Sequence, residues 1–234
     1  SMFVFPLINS DWTFIQNVWA HTHNVWDRWQ SLNMGMLAFT SSLIALNISS
    51  YNSEKQRKRE FIAAKAFLPE ALSEVTAYFR LCAEVLNEVY PRAKDKVDDC
   101  DTPLISEVPN LPPSYKTVFR DCIRHSEPDV AEHLSKILEL MQINHSRLSS
   151  LFTEFGGKDN VIQRPDMIME YVYCLGKLQA LINKTFKFAR AETAFDSEKL
   201  TISDLNTAYF TLKISDVVVN DGLEAFTEEK LDCV

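Results

Sequence analysis

The stretch QSLNMGMLAFTSSLIALNISSYNS, residues 30–53, carries no charged side chain. Four tryptophans lie immediately before it: Trp12, Trp19, Trp26 and Trp29. A basic cluster follows it: Lys55, Arg57, Lys58 and Arg59. Interfacial indole rings, an uncharged segment of about 20 residues or more and a cationic flank are the order that a helix crossing a bilayer requires. The sequence therefore predicts a transmembrane helix at this uncharged span.

The charges around the span predict how the chain is oriented. One basic residue near the span, Arg28, precedes it, whereas the basic cluster follows it. Positive charge is retained on the cytoplasmic side, so the chain is predicted to cross the membrane once with its C-terminal domain in the cytoplasm. The basic cluster is also predicted to contact lipid headgroups, which makes the bilayer the first expected partner.

The remainder of the chain is predicted to be helical, which makes the fold class all-α. Glycine is scarce, and apolar residues recur at helical spacing after the basic cluster. One stripe with 4-3-4-3 spacing comprises Leu68, Leu72, Val75, Phe79, Cys82, Leu86 and Val89. Such a stripe is typical of a helix that packs on other helices. Pro69 is predicted to kink this helix or to begin a new segment, and Pro91 to end it near Tyr90.

Later helices follow from the same kind of pattern. They are predicted at 114–125, then from a cap at Ser126, with Pro128 in the first turn, to the pair Gly156 and Gly157, and further at 165–190, 203–214 and 221–231. The expected architecture is an N-terminal amphipathic plus transmembrane helix followed by a cytoplasmic helical bundle. Its parts are 1–29 (interfacial Trp-rich helix), 30–53 (transmembrane helix), 54–90 (basic juxtamembrane segment and long helix), 91–113 (Pro-rich loop) and 114–234 (remaining bundle).

Composition argues against nucleic acid as a partner. The formal net charge is −8, and from residue 66 onward there are 18 Lys and Arg against 28 Asp and Glu. Binding along a nucleic-acid backbone needs a basic face, which this domain lacks. The five cysteines are widely spaced and form no CxxC pair, which favours a reducing compartment.

Two stripes within the span bear on self-association. Asn33, Thr40 and Asn47 repeat every seven residues, and small residues lie on roughly the opposite face: Gly35, Ala38, Ser42, Ala45 and Ser49. Small residues let helices approach closely, and polar side chains in hydrocarbon need a partner or water. The stripes are compatible with a simple anchor, a packed homo-oligomer or a pore lined by the polar stripe. A buried helix of a soluble oligomer is a further alternative.

The tryptophan-rich segment predicts an amphipathic helix at the membrane interface, because Trp12, Trp19 and Trp26 repeat every seven residues. Packing of these rings on a soluble core is the alternative interpretation. His21 and His23 form a short HxH pair without further ligands nearby, so we expect no metal site. Motifs for phosphate or dinucleotide binding are missing, and no cofactor is expected.

Residues 120–125, RDCIRH, place Arg120 and His125 at Arg-x4-His spacing with a polar residue after the arginine. This motif resembles the signature of HEPN ribonucleases, in which two motifs from a helical dimer form a composite site. The resemblance implies that Arg120 stabilises a charged phosphorane while His125 transfers the proton of a ribose 2′-hydroxyl. The alternative is a solvated helix end, where Arg124 and His125 favourably meet the helix dipole. The acidic domain also departs from the basic surface that an RNase needs.

Together with the predicted anchor, the motif resembles membrane-bound HEPN-like accessory proteins of bacterial antiviral systems. The run RKREFIAAKAFL, residues 57–68, is similar to uncharacterised single-pass bacterial inner-membrane proteins. These resemblances imply location in a bacterial inner membrane, homo-oligomers and a protein partner that is unknown. The expected function is therefore a self-associating membrane protein, which signals or permeabilises the membrane during stress or phage infection. The alternative function is a membrane-tethered ribonuclease.

Overall fold

The computed structural model describes residues 8–95, 104–155 and 164–232, and within these ranges every regular element is helical, without a strand. The predicted all-α class is therefore confirmed. The chain divides into two compact units, Ser1–Gln56 and Arg57–Val234. We describe each of them by itself.

Helix α1 (Ile8–Ala66) supplies all described residues of the first unit. The predicted division between an interfacial helix ending at residue 29 and a transmembrane helix beginning at residue 30 does not appear as a break in this helix. No proline lies between residues 8 and 66, and Gly35 is the only glycine there. The backbone therefore has no residue that favours ending a helix at this point. Residues 1–7 lie outside the described ranges.

Helix α2 (Leu68–Asp95) begins after a turn at Phe67, so Pro69 occupies its first turn as predicted. The predicted apolar stripe is confirmed, because every one of its side chains is fully buried. Burial of one large apolar side chain contributes about 1.5–3 kcal/mol, so this stripe accounts for the stable packing of α2.

The predicted end of α2 near Tyr90 is wrong, because the helix continues through Pro91 to Asp95. Pro91 has no N–H to donate, yet tertiary contacts hold the last turns. The Glu88 carboxylate accepts hydrogen bonds from the N–H groups of Ile105 and Ser106, both at 2.8 Å. Lys94 donates to Asp221 at 2.6 Å. These contacts outweigh the helix-breaking preference of one proline. Residues 96–103 of the predicted Pro-rich loop lie outside the described ranges.

Helices α3 (Tyr115–His125) and α4 (Pro128–Phe155) match the predicted positions, but the predicted capping role of Ser126 is wrong. Ser126 ends α3, where its N–H donates to the carbonyl of Cys122 at 2.9 Å. The carbonyl of Glu127 instead accepts from Ala131 at 3.0 Å, which makes Glu127 the residue before the first turn of α4. The Ser126 hydroxyl is buried and has no hydrogen-bond partner.

Helix α5 (Pro165–Ala189) lies at the centre of the second unit and packs against α2, α4 and α6 (Ile202–Leu212). Gly176 makes the contact with α6 close, because a Cβ at this position would lie 2.2 Å from the Tyr209 ring. The Tyr209 hydroxyl in turn hydrogen-bonds the Thr227 hydroxyl at 2.8 Å inside the core. The absence of a side chain at Gly176 therefore lets the Tyr209 ring of α6 pack directly on the backbone of α5.

The C-terminal elements are α7 (Asp216–Val218), a wide turn (Val219–Leu223) and α8 (Glu224–Asp232). Thr201 and Asp204 form a capping box at the start of α6. Gly222 adopts a φ of 95° inside the wide turn, a conformation that favours glycine. The turn places Asp221 where it accepts from both Tyr90 and Lys94 of α2.

Candidate functional site

The first unit exposes large apolar side chains along α1. Phe39 is 66% exposed, Leu46 is 65% exposed and Trp26 is 72% exposed. Among the described helices, the one within Gln16–Ala66 is long and apolar enough to cross a membrane, and none of its most apolar stretch is buried. A core helix would bury this surface against protein. Within the first unit, the large apolar side chains of residues 30–53 are therefore exposed.

Several polar side chains of the span are satisfied by their own helix. The Thr40 hydroxyl donates to the carbonyl of Met36. The Ser42 hydroxyl donates to the carbonyl of Ala38 at 2.9 Å, and the Asn47 amide donates to the carbonyl of Leu43 at 3.0 Å. An unsatisfied polar group in hydrocarbon is costly, and these bonds reduce that cost without water or a second chain. Thr40 and Asn47 of the polar stripe are thus compatible with lipid contact.

The small-residue stripe is an open helix face. Its members are exposed, and a Cβ placed on Gly35 would have no atom within 4 Å. This geometry leaves room for a second helix backbone to approach at Gly35, Ala38 and Ser42.

The tryptophans are exposed as well: Trp19 by 64%, Trp26 by 72% and Trp29 by 62%. The side chain of Trp12 lies outside the described residues. His21 and His23 are two positions apart, so their side chains point about 200° apart around the helix and do not converge on one ion. Within the described residues, no group of three His, Cys, Asp or Glu side chains is arranged to hold a metal.

The members of the basic cluster differ in their surroundings. The Arg57 guanidinium donates to the Glu127 carboxylate at 2.9 Å and to the Ser126 carbonyl at 3.1 Å. Lys55, Lys58 and Arg59 are exposed. Arg57, predicted as a headgroup ligand, is therefore directed toward the corner between α3 and α4.

Arg120 and His125 do not meet within one chain. Five positions along a helix turn the second side chain by about 140°, so the two lie on different faces of α3. Arg120 is 70% exposed and pairs with the adjacent Asp121 at 3.0 Å. The Nδ1 atom of His125, 19% exposed, lies 3.1 Å from the Glu60 carboxylate. A composite site would therefore need two copies and would have to release His125 from Glu60.

The last turns of α1 form a junction with the rest of the second unit, which sequence patterns did not reveal. We define this α1 junction as the pairs Arg57–Glu127, Glu60–His125 and Lys65–Phe188. The Lys65 ammonium lies 3.7 Å from the centre of the Phe188 ring, and burial lowers the pKa of Lys65. Phe61 also faces Phe188, with ring centres 6.3 Å apart. These partners lie far apart in sequence, so a local periodic pattern cannot predict their contacts.

His133 is a second chemically distinctive side chain that the motifs missed. The Thr185 hydroxyl donates to the carbonyl of Leu181 at 2.7 Å, so the His133 Nε2, 3.0 Å away, must donate to that hydroxyl. Burial chiefly lowers the pKa of His133, and Lys184 adds to this, while the Leu181 carbonyl and Asp196 act in the opposite direction. The ring is therefore held neutral in a fixed tautomer, as expected of a side chain that supports packing.

Comparisons with protein families, curated proteins and solved structures found no match to this chain. The functional argument therefore depends on the residues and contacts described above.

Proposed function

We propose that this chain is a membrane-anchored helical protein, in which residues 30–53 of α1 cross a lipid bilayer. The observation that supports it most is the exposure of an uncharged apolar helix on all sides. Water around such a surface is unfavourable, whereas acyl chains solvate it and each Leu, Ile, Phe or Val favours insertion by about 0.3–0.6 kcal/mol. The second unit, with its basic start at Arg57, occupies the cytoplasmic side of a bacterial inner membrane.

Self-association is the second part of the proposal. Helices in lipid gain little from apolar burial, so they associate where small residues permit close packing. The small-residue face from Gly35 to Ser49 supplies such a surface. Oligomers of this kind fit a signalling or membrane-permeabilising effector in stress or phage defence, the role implied by the antiviral resemblance.

Insertion is tested by Leu43→Arg in the middle of the span. A central arginine costs about 2.5–3.5 kcal/mol in a transmembrane helix, so the variant should leave the alkali-resistant membrane fraction. Leu81→Arg is the matched control, because Leu81 is a 48% exposed residue of α2 in the second unit. It should remain with the membrane like the wild type. Wild-type protein that stays soluble without detergent would refute the anchor.

Association is tested by Gly35→Ile with Ser42→Ile, which fills the small-residue face. The detergent-solubilised particle should shrink, as measured by analytical ultracentrifugation. Ser50→Ile, outside this face, should leave the particle size unchanged. A monomeric wild type would contradict this part of the proposal. The same holds if the particle size of the oligomer is unchanged in the Gly35→Ile, Ser42→Ile variant.

The pore version has its own test. Replacing Asn33, Thr40 and Asn47 with leucine should abolish ion leakage from liposomes if these side chains line a channel. If leakage persists, the pore is refuted, whereas the proposed membrane anchor is unaffected.

A further inference from the structure

The second unit carries a groove lined by α6, α7, the wide turn and the start of α8. It encloses about 820 Å³, and the buried side chains of Ile214 and Leu223 form its floor. Its rim is also apolar, because Phe210 is 87% exposed and Val219 is 43% exposed. Four charged residues complete the lining: Arg80, Lys213, Asp216 and Glu224. We call this surface the C-terminal groove.

Phe210 does not contribute to the core of the second unit. The buried face of α6 consists of Leu205, Ala208, Tyr209 and Leu212. Phe210 follows Tyr209 by one position and therefore lies about 100° further around the helix, at the rim of the groove. A phenyl ring in water is unfavourable, and aromatic side chains often dominate the binding energy of protein interfaces. The ring is therefore placed for a contact with another molecule.

The charges of the groove are balanced, whereas the surrounding domain is acidic. Arg80 and Lys213 oppose Asp216 and Glu224, and none of these four side chains forms an ion pair with a described residue. From residue 66 onward the chain carries 18 Lys and Arg against 28 Asp and Glu, so two copies repel each other over most of their surfaces. A neutral groove is a place where two such copies can approach.

The equal numbers of both charges favour a second copy as the occupant. In an interface with two-fold symmetry the same surface meets itself, so the cations of one copy can face the carboxylates of the other. A nucleic acid or an anionic lipid surface carries one sign of charge and would be repelled by Asp216 and Glu224. The groove is therefore complementary to itself.

We propose that the C-terminal groove binds the same groove of a second copy of this chain across a two-fold axis. The Phe210 ring of each copy contacts the apolar floor of the other groove. Arg80 and Lys213 of each copy face Asp216 and Glu224 of the other. This contact is separate from the proposed association through the span, because every residue in it belongs to the second unit.

The first experiment removes the association through the span and measures what remains. The full chain with Gly35→Ile and Ser42→Ile is the background, and analytical ultracentrifugation in detergent follows its particle mass against concentration. This background should still form dimers. Adding Phe210→Ser should raise the dissociation constant of the dimer by about tenfold or more. Ile105→Ser is the matched control, because Ile105 is 88% exposed and lies outside the lining of the groove, so the dissociation constant should be unchanged.

Charge reversals in the same background test the symmetry of the contact. Lys213→Glu leaves one cation against three carboxylates in the groove, and Glu224→Lys leaves three cations against one carboxylate. Each variant alone should be monomeric, whereas a mixture of the two should form heterodimers, because their grooves now attract each other. Co-purification of two differently tagged copies measures this, and circular dichroism checks that each variant is folded. Lys116→Glu and Glu132→Lys reverse exposed charges of α3 and α4 as controls, and each should dimerise like the background.

A background that is monomeric at every concentration would overturn the groove contact. The same holds if Phe210→Ser leaves the dissociation constant unchanged, or if the two charge variants do not form heterodimers. The groove would then bind a different protein or lipid. Failure of the association through the span gives a different result, because the wild type and the background would then have the same particle mass.

Discussion

Phe39 and Phe79 are the same residue in two helices of this chain, yet Phe39 is 66% exposed and Phe79 is fully buried. In α2 the apolar residues form one stripe, and the other side of the helix is polar. In residues 30–53 of α1 apolar residues occur around the whole helix, interrupted by small and polar ones. One stripe needs one protein partner, whereas an apolar surface on all sides needs a solvent of similar polarity.

The largest expected difference is between Phe79→Ala and Phe39→Ala. Removing a buried phenyl ring leaves a cavity, so Phe79→Ala should lower the free energy of unfolding of the second unit by about 3–5 kcal/mol. Phe39→Ala should leave that free energy unchanged, because its ring touches no core. Denaturant unfolding in detergent, followed by circular dichroism, measures both. Equal destabilisation by the two changes would mean that the span packs on protein.

The glycines give a second, smaller contrast. A methyl group at Gly176 would meet the Tyr209 ring, which its bond to Thr227 holds in place. Gly176→Ala should therefore cost about 1–3 kcal/mol of overpacking, partly offset by better helix propensity. Gly35→Ala meets nothing and should leave the unfolding midpoint of the second unit where it is. A Gly176→Ala variant as stable as the wild type would show that α5 and α6 are less closely packed than described.

The α1 junction should give a still smaller effect. His125→Ala removes the contact with Glu60 and should lower the free energy of unfolding by up to about 1 kcal/mol, the usual size for one partly exposed polar contact. Arg120→Ala, on the exposed side of α3, should change nothing. A ribonuclease would behave differently, since each variant alone would abolish cleavage of RNA.

The smallest expected effect is a pH dependence from His133. Burial lowers the pKa of His133 in the folded protein, so the unfolded chain takes up a proton first as the pH falls through about 6.5. Stability should therefore begin to decrease as the pH falls through about 6.5, above the range in which most carboxylates titrate. His133→Gln keeps a donor for Thr185 and should flatten this part of the melting-temperature profile. An unchanged profile would assign the dependence to another group.

Local patterns predicted much of the second unit. The positions of α3, α4 and α5 followed from proline placement and from apolar spacing, and the α2 stripe is buried as expected. The end of α2 could not be predicted from local patterns. Glu88 accepts a hydrogen bond from Ile105, 17 positions later, and Lys94 donates to Asp221, 127 positions later. Long-range partners of this kind leave no periodic signal.

The candidate sites show the same division. The uncharged span is a local property, so its exposure along α1 could be anticipated. The roles of Arg57 and His125 could not be predicted from the sequence, because each residue contacts a partner from a distant segment of the chain. Sequence grouped Arg57 with lipid ligands and His125 with Arg120, whereas the structure pairs them with Glu127 and Glu60.

The most direct measurement of the anchor compares Ser41→Cys with Ser53→Cys in washed membranes. Ser41 lies in the middle of the span, and Ser53 lies at its end beside the basic cluster. A membrane-impermeant maleimide, read by peptide mass spectrometry, should label Ser53→Cys and leave Ser41→Cys unlabelled until detergent is added. Equal labelling of both without detergent, or a chain missing from the membrane fraction, would contradict the account.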